Sequence, residues 1–153
     1  MGFLDFIFGK KTPKIENDFF GTMELIHSKE YPHEIYFKCN RHFEPTSKTV
    51  DVIIDGDKAG VTQKQIDFFK HIENNYSKIC EIVTPLIEQE YRKRINGFKI
   101  TDFQKEFKAY CLGLPQCQTA PFEWEIHFDN GDLDCAVEMS DFRVKKIHLH
   151  GLD

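Results

Sequence analysis

The residues best suited to chemistry gather near the end of the chain. Glu123, Glu125, Asp129, Asp132, Asp134 and Glu138 share one stretch with His127, His148 and His150. Trp124 to Phe128 alternates apolar and polar residues, and Asn130-Gly131 is the pair preferred in a two-residue type I′ hairpin. That turn predicts a register: Phe128 faces Leu133, Ile126 faces Cys135, Trp124 faces Val137, and His127 lies opposite Asp134. A second turn near Ser140-Asp141 sets Met139 against Phe142 and Val137 against Val144. A β-bulge near Lys145-Lys146 then turns Ile147 and Leu149 inward and brings His148 beside Asp134. His127, Asp134 and His148 would form a cross-strand row with Cβ atoms about 5 Å apart. Those donor types suit a metal such as zinc. The same pleat turns the six carboxylates outward. An acidic face dotted with histidine, receiving a basic protein, is the leading reading, and the metal site is the alternative. His–Asp neighbours on a wet sheet are also ordinary weak ion pairs.

Other constellations fail on inspection. Asp55 to Gly60 (DGDKAG) resembles the opening of a calcium loop, but Ala59 stands where an Asp or Asn ligand belongs. Ile66 stands where the closing Glu belongs. A strand-to-helix turn with negative charge near a helix N-terminus accounts for it better. The five cysteines, Cys39, Cys80, Cys111, Cys117 and Cys135, are odd in number and show no CxxC spacing. That argues against a disulfide framework or a zinc knuckle and for reduced thiols in a cytoplasmic protein. Buried, packing thiols are the reading favoured: Cys80 and Cys135 fall on apolar faces, while Cys111 and Cys117 flank a loop that leaves room for exposure but nothing marks either as activated. No GxSxG, GxxxxGK[ST], GxGxxG or HExxH motif occurs, so no catalytic residue and no cofactor is assigned.

The chain has 153 residues, a length for one domain. Its 15 Phe, 5 Tyr and single Trp can build a core without staples. The formal net charge of -5 argues against nucleic acid and leaves room for a basic protein partner. No apolar run is long enough to span a membrane. Met1 to Lys11 lacks the basic-first order of a signal peptide, and Phe6 breaks the myristoylation pattern. Membrane contact by residues 3–8 is a minor reading beside docking on the chain's own domain.

The elements that must position these residues follow from periodicity. Residues 1–18 read as an amphipathic segment and linker, and 19–153 as a single α+β domain. Phe19 to Ile26, Glu34 to Asn40 and Thr49 to Asp55 read as a three-stranded meander, with Arg41 to Lys48 a loop. In the last strand Val50, Val52 and Ile54 face one way, Asp51 and Asp55 the other. Thr62 and Gln65 form a capping box. Ile66, Phe69, Ile72, Tyr76, Ile79, Val83 and Leu86 then make one apolar stripe on a long helix, kinked or restarted at Pro85. Thr101 to Gln104 can cap a short helical turn, and Phe107 to Leu112 reads as a strand of either strand group. The expected fold is α+β: an antiparallel β-sheet of about six to seven strands with one long amphipathic helix packed on one face.

The order of pieces carries a resemblance. Ile54 to Asp57 gives I-D-G-D, Phe69 to Tyr76 gives F-x-x-I-E-x-N-Y, Trp124 to Phe128 gives W-E-I-x-F, and the last hairpin ends in His150-Gly151. Residues 19–151 resemble small bacterial domains of unknown function, some of them suspected immunity proteins of polymorphic toxin systems. The resemblance implies a binding role, neutralising a toxin by direct contact. It supplies no catalytic residues. Tyr31, Tyr36 and Phe142 are candidate aromatic anchors for such a contact.

Overall fold

Alternation dominates the chain, and the computed structural model resolves it into one eight-stranded sheet. It describes residues 12–28, 30–31 and 33–151, so the membrane-contact reading of residues 3–8 lies outside the described residues. The strands are β1 (Lys14–Asn17), β2 (Gly21–His27), β3 (Ile35–Phe43), β4 (Lys48–Gly56), β5 (Lys108–Leu114), β6 (Glu123–Asp129), β7 (Asp134–Ser140) and β8 (Arg143–His150). They lie side by side in chain order. Every neighbouring pair is antiparallel except β4 and β5, which are parallel. A parallel pair needs a long crossover. Here it is helical: α1 (Gln63–Asn74), α2 (Tyr76–Arg92) and the short α3 (Phe103–Glu106).

The sheet is larger than expected because Lys14–Asn17, inside the stretch read as linker, is a strand. Asn17 makes the turn that pairs it: its Oδ1 accepts from the backbone N–H groups of Phe19 and Phe20 at 2.9 and 2.8 Å. Gly21 follows with φ at 74°. Phe19 and Phe20 therefore sit in a turn, not a strand. The loop read over 41–48 shrinks to residues 44–47, because Arg41 to Phe43 stay in β3 and Lys48 opens β4. Phe107 is the cap of α3, and β5 joins both strand groups: parallel to β4 on one side, antiparallel to β6 on the other.

The capping box is present, with Thr62 accepting from the Gln65 backbone N–H and the Gln65 side chain reaching back to Thr62. Gln65 is buried and also donates to the carbonyls of Asp55 and Pro115, tying the helix start to the ends of β4 and β5. The single long helix is two helices. Asn75 leaves helical geometry (φ -110°, ψ 11°), and its side-chain amide donates to the His71 carbonyl at 2.8 Å. An Asn side chain that bonds nearby backbone competes with the helical ladder. Pro85 sits inside α2 without ending it. Pro85 and Glu81 both face solvent, so water can satisfy the carbonyl that the missing N–H leaves open.

Phe69, Ile72, Tyr76, Ile79 and Val83 are fully buried as expected. Beyond them the stripe continues through Ile87 and Tyr91, while Leu86 is 37% exposed. These side chains meet Phe37, Val52, Ile54, Leu112, Ile126, Phe128 and Val137 in one cluster. Each such side chain contributes roughly 1.5–3 kcal/mol on burial. The helices thus cover one face of the sheet and leave the other pleat outward. Among the described residues no helix is long and apolar enough to cross a membrane.

Candidate functional site

The outward pleat of the central strands is acidic by construction. Alternation from the buried Val50, Val52 and Ile54 places Asp51 and Asp55 outward on β4. Likewise Trp124, Ile126 and Phe128 place Glu123, Glu125, His127 and Asp129 outward on β6, and Cys135, Val137 and Met139 place Asp134, Ala136 and Glu138 outward on β7. Outward positions of these three strands hold seven carboxylates and no Lys or Arg.

The hairpin register differs from the one its turn residues suggest. The loop spans residues 130–133, so Phe128 pairs with Cys135, Ile126 with Val137 and Trp124 with Met139. Asn130 is the reason. Its Oδ1 accepts from the N–H groups of Asp132 and Leu133 at 3.1 and 2.7 Å, an Asx-type loop in place of the two-residue turn. The slip is two residues, so each side chain keeps its face and changes its partner. In the next hairpin Ser140 pairs with Arg143 and Met139 with Val144. The bulge falls where expected, at Lys145, and Ile147 and Leu149 pack toward the core.

That register separates the proposed metal ligands. His127 and His148 both neighbour Ala136, one on each side, and Asp134 pairs with Asp129 and His150 instead. The Asp134 carboxylate accepts the Tyr110 hydroxyl, 2.8 Å from each oxygen. Among the described residues no group of three or more His, Cys, Asp or Glu is arranged to hold a metal ion. His127, Asp134 and His148 are therefore not a ligand set.

Of the six recognition residues, three converge. Glu123, Glu125 and Glu138 line an open depression of about 220 Å³ together with Asp55 and Lys145. Its floor includes Ile53 and Gly113. A Cβ at Gly113 would stand 2.8 Å from Glu125 Cγ, so glycine is what lets Glu125 lie across the floor. Among the described residues lining it Lys145 is the one cation, bonded to Glu123 at 3.0 Å. Asp129 and Asp134 lie at the other end of the strands, and Asp132 belongs to the loop rather than the face. Alternation alone places Asp55 outward, but nothing in the sequence sets β4 next to β5, so its place in the depression is not legible there.

Two imidazole–carboxylate pairs hold the middle of this face. His127 Nε2 is 3.3 Å from Glu125 Oε1, and His148 Nε2 is 3.0 Å from Glu138 Oε2. The second is a hydrogen bond. The first is an electrostatic contact without hydrogen-bond alignment, which leaves His127 Nε2 buried and unbonded. The His127 imidazole holds the Glu125 carboxyl below its ordinary value, against the effect of burial. Asp55 is raised, first by shielding from water and then by repulsion from Glu34 and Glu125.

The thiols offer no nucleophile. Cys111 points outward opposite His127, but burial, then Asp51 and Glu125, push it up to about 11. Cys117 is buried in spite of its place beside a loop, and burial pushes it also to about 11. All five cysteines are free. A thiol held protonated is a packing group, not an attacking one. Of the aromatic anchors, Tyr36 is half-buried and pairs with Asp55 at one end of the acidic face, and Tyr31 is exposed. Phe142 is committed elsewhere, packed on Phe68, His71 and Trp124. Comparison with protein-family models, with curated proteins and with solved structures gives no match.

Proposed function

We propose that this chain is a protein-interaction module whose outer sheet face receives a cationic surface of a protein partner. The observation that supports it most directly is the convergence of Asp55, Glu123, Glu125 and Glu138 on one open depression. Carboxylates gathered at that density repel one another, and at Asp55 the repulsion from Glu34 and Glu125 adds to burial in raising the carboxyl. A basic side chain from a partner relieves it, with its stem on Ile53 and Gly113 and its charge among the carboxylates. The shallow, open shape fits a protein surface better than a small substrate, which prefers an enclosed pocket.

Neutralisation of a toxin in a bacterial cytoplasm is the specific form of this reading that the resemblance suggests. Its test is a pull-down from a lysate of the source cells, with the full chain and a Glu125→Lys/Glu138→Lys variant as baits. The expected result is a basic protein retained by the first and lost by the second. Its measured affinity should fall at least tenfold in the variant and weaken as salt rises. Equal retention by both baits would remove the acidic face from the interaction.

A further inference from the structure

The centre of the outer face carries two histidines where charge on the face can be changed. Glu125 and Glu138 stand directly opposite each other on β6 and β7. Like charges so placed repel. One position along, His127 and His148 flank Ala136, whose methyl side chain leaves space for both rings. Each ring has its own carboxylate, His127 to Glu125 and His148 to Glu138. Both histidines are partly exposed, at 22% and 39% of the side chain, although His127 Nε2, the atom facing Glu125, is itself buried.

The surrounding groups leave this pairing in charge. On β5, Tyr110 lies edge-on to His127 with ring centroids 5.8 Å apart, and Cys111 is opposite it with a protonated thiol. On β4, Asp51 is opposite Cys111 and adds negative charge, and Asp55 adds more beside Glu125, which it repels. On β7, Asp134 is engaged by Tyr110. On β8, Lys146 is opposite Glu138, His150 is opposite Asp134, and Lys145 is bonded to Glu123. Asp129 closes the far end of β6.

We infer that the pairs His127–Glu125 and His148–Glu138 form an acid-triggered release switch for the cationic partner of this face. The inference rests on the docking reading above. With both imidazoles neutral, the two carboxylates present net negative charge to the partner. Histidine is the side chain that ordinarily gains its charge between pH 8 and pH 5. Once both rings are protonated, each carboxylate has an internal counter-ion and the four groups sum to zero. The partner's cation then competes with two imidazolium ions for the same oxygens. Weak acidification lowers affinity while the fold stays intact.

The probe is a decalysine peptide, bound to the full chain at pH 7.5 and pH 5.5 at constant ionic strength. The expected loss in wild type is on the order of tenfold. His127→Gln/His148→Gln should bind at pH 7.5 and lose most of the pH dependence. A second measurement does not depend on binding: carbon-13 titration of the Glu125 carboxyl, whose midpoint should rise in His127→Gln. An unmoved midpoint overturns the switch, and so does a double variant with undiminished pH dependence. Wild type that binds equally at both pH values sinks the switch alone. Wild type that fails to bind at pH 7.5 sinks the docking reading and the switch with it.

Discussion

Asp55 shows most clearly what a single residue of the outer face does to folding. Its carboxyl is raised in the folded chain, so the fold holds its proton more tightly than the unfolded chain does. That preference favours folding at low pH and turns into a cost as pH rises through the raised value. Asp55→Asn should therefore raise the urea midpoint at pH 7. The gain should be less than about 1 kcal/mol, because the exposed group is screened by water. At pH 3, below the ordinary value of 3.8, the variant and wild type should coincide. A variant that is no more stable at pH 7 would mean that neither burial nor the neighbouring carboxylates burden Asp55. Glu125 has the opposite sign, since its lowered carboxyl adds stability above its ordinary range and loses it on acidification. In the docking proposed above, the partner's cation supplies the charge that offsets the cost at Asp55.

The elements divide sharply into those legible in the sequence and those not. The start of α1 was legible because Thr62 and Gln65 satisfy each other locally, with no help from distant residues. Thr62→Ala should cost about 1 kcal/mol in urea unfolding, with faster amide exchange confined to the first turn of α1. An unchanged midpoint would show that Gln65, through Asp55 and Pro115, holds that end alone. The faces of β4, β6 and β7 were also legible, since a period of two survives any slip of two residues. The pairings were not. Asn130 can make a type I′ turn or an Asx loop, and only the packed hairpin decides between them. The break at Asn75 was hidden because the apolar stripe runs through it from Ile72 to Tyr76 without a missed beat. The metal reading failed with the register: at the observed pairing, Ala136 occupies the position that Asp134 was to fill.

The whole molecule hinges on a junction that no local signal announced. β4 and β5 are far apart in sequence and parallel, and their contact turns two meanders into one sheet. Only that contact brings Asp55 to the depression formed by Glu123, Glu125 and Glu138, so the candidate site exists at the scale of the molecule and not of either half. Leu112 sits in this junction, fully buried and paired with Val52. The core it belongs to is continuous from Met23 to Met139. Leu112→Ala should cost about 2–5 kcal/mol. If one core holds both halves, the loss should appear equally in native-state amide exchange of β2–β3 and of β6–β7. Protection that fell only in β6–β7 would mean that the meanders fold separately and merely abut. The acidic face would then be an association of two units rather than one preorganised surface, and an interface that must first be assembled binds more weakly than one already in place.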